Sequence, residues 1–281
     1  MVPTDVAMLL AVAGLWGFSF LFMRVAAPVL GPLPLVAVRL VVASACLLPV
    51  ALARGEGPAM VRSWRQLVIL GVVNSAAPFA LFAWATLPLP SGVTAVLNGT
   101  APLFTAAVGW LWLRRPLGLG QGVGLALGFA GVAVLVAGRG GLAAGADLTA
   151  FAAATSASAL YGVAANYMTR SLAGVSASAI AAGSLTAAAA ILSPALAWLP
   201  AGAAPSAWAC ALGLGALCTG LAYHLYFRLV DSVGVGRAIT VTFLVPAFAL
   251  AWGAGLLHEE VQPLSLLGAA MILGGLRLAL K

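Results

Sequence analysis

Charged side chains are nearly missing from this sequence. They make up 7% of its 281 residues, where a water-soluble domain of that size carries about a quarter. So few cannot cover a surface that faces water, and a chain that is 63% hydrophobic belongs in lipid. The alternation of apolar and polar residues that marks membrane β-strands is also missing. Apolar runs of about twenty residues take its place, the length that a helix needs to span a bilayer. The formal charge of +7 forms no dense basic patch, which excludes nucleic acid as a partner. Cysteine occurs three times, as Cys46, Cys210 and Cys218, always inside apolar runs. These read as small buried hydrophobes, and neither a metal site nor a cofactor is expected. The N-terminal MVPTDVAMLLAVAGLWG lacks the basic start of a signal peptide, and its apolar run continues to about Ala27, so it reads as a first span.

Breaks at Gly, Pro and Arg divide the chain into ten spans, at about residues 5–26, 33–53, 66–87, 91–113, 119–138, 148–169, 176–198, 206–229, 235–257 and 263–280. The fold class is therefore an all-α polytopic membrane protein with ten transmembrane helices. Arg54, Arg62, Arg65, Arg114, Arg115, Arg170, Arg228, Arg237, Arg277 and Lys281 fall on one side of this arrangement, against Arg24 and Arg139 on the other. Positive charge stays in the cytoplasm, so both termini are expected there.

The chain also repeats itself. A shift of 144 residues sets Gly71 on Gly215, Gly92 on Gly236, Pro102 on Pro246, Phe104 on Phe248, Gly124 on Gly268 and Gly131 on Gly275. A shift of 145 sets the LWG of 15–17 on the LYG of 160–162. Residues 1–144 and 145–281 thus form two units within one membrane domain. Each unit has five spans, and an odd number turns the second upside down. Inverted repeats of this kind place substrate near the midplane between the halves.

The segments LWGFSF, VAVRLVVAS, SGVTAVLNGTAPLFTAAVGWLWL and GLALGFAGVAVL, with VGVGRAITVTFLVPAFALAWGAGLLHEE and LLGAAMILGGLRL in the second half, carry a resemblance over nearly the whole chain. It resembles the EamA family of the drug/metabolite transporter superfamily. The resemblance implies a five-plus-five fold and export of small metabolites, with amino acids or related compounds the leading class. The family's Gly-Glu pair after span four is replaced by Arg114 and Arg115, whereas Glu259 keeps the acidic position in the second half.

Pro102 and Pro246 fall about halfway along spans four and nine. A proline leaves the carbonyl four residues earlier without its helical partner, here those of Asn98 and Thr242. Both prolines are expected to break their helices beside a central cavity, because free carbonyls are tolerated only against protein or water. Arg39 is the only charge expected deep in the membrane, a functional candidate by default. Trp16, Asn74, Phe79, Tyr161, Thr219 and Tyr223, with Asn98 and Thr242, are expected to border the cavity, and Trp16 with Tyr161, like Phe79 with Tyr223, are repeat mates. His224 is a candidate proton carrier, since imidazole titrates near neutral pH. The row Gly120, Gly124 and Gly128 suits close helix packing. Asn98-Gly99-Thr100 matches a glycosylation sequon, but at the midplane no such machinery reaches it.

Asp5, Glu56, Asp147, Asp231, Glu259 and Glu260 all lie at span ends or in connections. A pump for cationic drugs would want a buried acid, so that alternative is disfavoured against neutral, zwitterionic or anionic cargo. An intramembrane enzyme would want a buried acid–base cluster, and a sensor an additional soluble domain; neither is present. The reading is a secondary transporter of the bacterial inner membrane, acting by alternating access and not an enzyme. Its partners are the bilayer and a small-molecule substrate. A monomer already carries both repeats, and a homodimer is compatible with the sequence.

Overall fold

The computed structural model describes residues 2–114, 116, 118–138 and 146–279. Arg115, Arg139 and Lys281, three of the residues used to orient the chain, lie outside the described residues, as does the side chain of Asp147. All regular structure among the described residues is helical.

Eight helical segments are long and apolar enough to cross a membrane: α1 (Pro3–Leu30), α2 (Pro32–Ala53), α3 (Trp64–Ala85), α4 (Ser91–Leu113), α5 (Leu119–Gly138), α6 (Ala146–Ser171), α7 (Ala177–Trp198) and α8 (Pro205–Val233). Two shorter apolar helices complete the order, α9 (Val241–Leu257) and α10 (Pro263–Ala279). The ends obey local chemistry. Pro3 occupies the first turn of α1, where a missing N–H costs nothing. The Asp5 carboxylate accepts the Val2 N–H at 2.9 Å and the Ser232 hydroxyl at 2.7 Å, fixing the start of α1 to the last turn of α8. Gly31, at φ 83°, supplies the left-handed residue that lets α1 turn directly into α2.

Helix contacts are set by glycine, and they repeat. A Cβ on Gly17 would lie 2.8 Å from Phe248 Cβ, so α1 packs on α9 at van der Waals limit. Its mate Gly162 does the same with α6 on α4, where a Cβ would lie 2.6 Å from the Phe104 carbonyl carbon. Gly71 brings α3 against Ser184 of α7, and its mate Gly215 brings α8 against Arg39 of α2. This pairs Arg39 with Ser184 across the repeat. The α5–α10 seam is also glycine on glycine: a Cβ on Gly124 would meet Gly275 O, and one on Gly131 would meet Gly268 O. Of the row Gly120, Gly124 and Gly128, the last two approach α10 most tightly; Gly120 is exposed, and a Cβ there would lie an ordinary 3.8 Å from Leu278 O of α10.

Three expectations are corrected. First, α4 is broken at Gly99–Thr100, directly before Pro102. The carbonyl that takes outside bonds there is that of Leu97, one residue before Asn98. It accepts the Thr100 N–H at 3.0 Å, the Thr100 hydroxyl at 2.6 Å and the Ser158 hydroxyl of α6 at 2.9 Å. Second, Pro246 is not at a helix break. It is buried inside α9, and the chain breaks one turn or more earlier, at Ile239–Thr240, after a short helix Val235–Ala238. Thr240 and Thr242 turn their hydroxyls onto the carbonyls of Arg237 and Ile239 (2.7 and 2.8 Å), which satisfies the break locally. Third, Cys46 is exposed rather than buried, Cys210 is half-buried, and only Cys218 is fully inside.

Candidate functional site

The helices surround one large cavity of about 620 Å³. Its wall draws Trp16, Ser19, Phe20 and Met23 from α1, Arg39 from α2, Asn74, Phe79 and Phe82 from α3, and Asn98, Ala101, Pro102, Thr105 and Ala106 from α4. The second half adds Tyr161, Ala165 and Asn166 of α6, Tyr223 of α8, Ile239, and Thr242 and Val245 of α9. Both halves of the chain therefore share it. Of the residues singled out in the sequence, Trp16, Arg39, Asn74, Phe79, Asn98, Pro102, Tyr161, Tyr223 and Thr242 stand in this wall. Thr219 stands directly behind it, whereas Pro246 and the half-buried His224 are not part of the lining.

Arg39 is the charged member of the wall among the described residues. It is 6% exposed, and its guanidinium carbon sits 3.6 Å from the centre of the Phe79 ring, within range for cation–π attraction. Its Nε–H donates to Thr219 Oγ1 at 3.0 Å, and the Thr219 hydroxyl passes a bond on to Leu214 O at 2.9 Å. Tyr161 and Tyr223 share the cavity wall with it. Asn74 and Tyr223 stand in the same wall. Trp16 faces Tyr223 edge-on with centroids 6.3 Å apart, and Phe82 meets Tyr161 at 5.9 Å, so aromatic rings from four helices share the cavity wall with Arg39.

What aims Thr219 at Arg39 is a wide π turn, Ala216–Leu221, inside α8. Its repeat mate is a π turn at Val72–Ala76 inside α3. Such turns insert one residue, rotate the remainder of the helix and recur at functional sites. The two turns carry the mates Ser75 and Thr219. Thr219 meets Arg39, whereas the Ser75 hydroxyl is buried with no hydrogen-bond partner among the described residues. Its position faces α7, where Ser184 replaces the arginine. The pair of turns had no shared sequence signal: Gly220 lies inside the second, but the first, VVNSA, holds neither glycine nor proline. Asn166 was also missed. Its Nδ2 donates to Thr105 O and Gly162 O, both at 2.9 Å, tying α6 to α4 at the cavity wall. A lone amide inside the apolar run of α6 was the available signal.

The two ends of the cavity differ. One end reaches the surface beside exposed Pro116 and half-buried Gln121, after α4. The opposite end is walled by buried Met23 and Phe82, and beyond them lies a polar clamp. There the Glu259 carboxylate accepts the Ser91 N–H at 2.9 and 3.0 Å and the Ser91 hydroxyl at 2.7 Å. A carboxylate on a helix N-terminus is favoured by the helix dipole. Arg24, inside α1, approaches Glu259 at 3.9 Å and donates to the carbonyls of Thr86 (2.7 Å) and Leu87. The clamp thus joins the ends of α1, α3, α4 and α9. The repeat mates of Ser91 and Arg24 in the sequence are Val235 and Thr169, and no counterpart of the clamp occurs among the described residues.

A set of membrane-length helices around a chamber shared by two repeats is the layout of a multi-pass membrane transporter. The chain belongs to the EamA-like transporter family, whose profile matches residues 4–137 and again residues 146–281. It is 26% identical over 278 residues to the "Uncharacterized transporter YvbV" of Bacillus subtilis (strain 168), which covers 96% of this chain and 89% of that protein. It is 27% identical over 268 residues to the "Probable terminal-alkyne amino-acid exporter" of Streptantibioticus cattleyicolor, covering 94% and 89%. A solved crystal structure superposes with a TM-score of 0.68 at 18% identity, over 98% of this chain and 96% of that one; it speaks for the fold alone.

Proposed function

We propose that this chain crosses a bacterial inner membrane ten times, as two inverted five-helix repeats with both termini in the cytoplasm, and exports small organic metabolites by alternating access. Amino acids or related compounds are the cargo class. The observation that carries this reading is the cavity: both repeats line it, one end reaches the surface, and the other is held shut by the Glu259 clamp. The excess of Arg at the Pro116 end makes that end cytoplasmic, so this conformation is open inward. A relative named as an amino-acid exporter supports the cargo class. The charge that Arg39 brings to the wall works against the alternative of a cationic-drug exporter, because like charges repel in a low-dielectric chamber.

Flux into or out of proteoliposomes over a panel of amino acids tests this. Movement of at least one panel member above protein-free vesicles is expected, with saturation at rising concentration. No movement of any member by folded protein contradicts the amino-acid cargo.

A further inference from the structure

A buried guanidinium with donors left over is a receptor waiting for an anion. Arg39 carries five N–H donors in a planar fork. One, on Nε, is bound by Thr219. Among the described residues the terminal nitrogens have no hydrogen-bond partner, and no carboxylate stands in the cavity wall. An arginine that is 94% out of solvent on the complement of its 6% exposure, with its charge unneutralised, is costly to keep. The stacking on Phe79 and the bond from Thr219 orient the fork but supply no negative charge. We propose that Arg39 anchors the carboxylate of the transported compound through its free terminal N–H groups, and that the carboxylate, not an amino group, is the recognised element. This rests on the transport reading above and narrows its cargo.

The remainder of the compound then meets rings. Trp16, Phe82, Tyr161 and Tyr223 line the same cavity as Arg39, which suits an apolar or aromatic body. For an ammonium the described wall offers only neutral acceptors such as the Asn98 amide, so an amino group adds little. Deaminated acids fit as well as amino acids do. The site is one-sided by construction. The repeat mate of Arg39 is Ser184, whose hydroxyl is turned back on Ala181 O, so the second repeat offers no equal anchor.

Ligand-dependent thermal stabilisation of the purified full chain in lipid nanodiscs, with isosteric probe pairs, tests the proposal. Phenylalanine and 3-phenylpropionate should both stabilise the wild type. Phenylalaninamide and 3-phenylpropionamide, which lack only the carboxylate, should bind roughly ten- to hundredfold more weakly, the span of a charge-assisted pair. Arg39→Gln should erase the difference within each pair; Arg39→Lys, which keeps the charge but loses the fork, should restore part of it. Should Arg39→Gln fail to fold, the acid–amide comparison on the wild type decides alone. Equal binding of acid and amide overturns the anchor while leaving transport intact. Flux of amino acids with no acid preference does the same, whereas no flux at all removes the transport reading on which the anchor stands. Binding of phenylalanine but not of 3-phenylpropionate contradicts the claim that the amino group is dispensable.

Discussion

Arg39 and its neighbours show how repeat symmetry is used and then broken. Thr219 and Ser75 are mates in mated π turns, yet one supports a charge and the other has no hydrogen-bond partner among the described residues. Removing a hydroxyl that satisfies a buried charged donor leaves that donor bare, which costs about 1–3 kcal/mol. Removing a hydroxyl that has no partner costs little or is mildly favourable. Thr219→Val should therefore lower the melting temperature of the purified protein clearly, and Ser75→Ala should leave it unchanged or raise it. Differential scanning of both variants in one detergent checks the contrast. Equal losses would mean that the Arg39–Thr219 bond carries no special weight.

Elements are held together here by backbone proximity rather than by large side chains. Lipid gives helices no hydrophobic reason to associate, so small residues that permit close approach take over. Gly162 lets α6 touch the α4 backbone, and adding a single methyl would place a Cβ 2.6 Å from the Phe104 carbonyl carbon. Gly162→Ala should cost about 1–3 kcal/mol by overpacking. Gly120→Ala on α5, with 3.8 Å to its nearest neighbour, should be neutral or stabilising, since alanine is the better helix former. Thermal unfolding of the two variants reads the difference. Much of this layer was legible in the sequence. The LWG and LYG glycines, and the mates Gly124–Gly268 and Gly131–Gly275, stand where the helices meet. Aromatic and polar positions such as Trp16, Asn98 and Tyr223 stand in the cavity wall, because polar and ring-bearing residues inside apolar runs are few. Less legible were the breaks and turns. Pro102 stands just after a break, but α9 runs through Pro246, because a proline removes one bond without dictating where the neighbouring helix absorbs the bend. The π turns and the inward rotation of Asn166 depend on packing between helices far apart in sequence, which no local pattern encodes.

At the scale of the molecule, the two cavity ends are unequal because the repeats have diverged at the positions that would close them. Glu259, Ser91 and Arg24 form a clamp at one end; their repeat mates in the sequence are Arg115, Val235 and Thr169, none of them acidic. On the transport reading proposed above, the clamp holds that end closed in the conformation described. Glu259→Gln removes the charge that holds the α4 N-terminus and the Arg24 guanidinium, and the population should shift toward opening on the outer face. The most direct measurement is the labelling of Ala106→Cys, in the cavity wall, with a membrane-impermeant maleimide, in a background with Cys46, Cys210 and Cys218 replaced. Inside-out and right-side-out vesicles present the two faces in turn. Labelling from the cytoplasmic face in the otherwise wild-type protein, joined by labelling from the outer face when Glu259→Gln is added, is the predicted result. Access from one unchanging face in both proteins, with transported cargo present or absent, would contradict alternating access through this cavity.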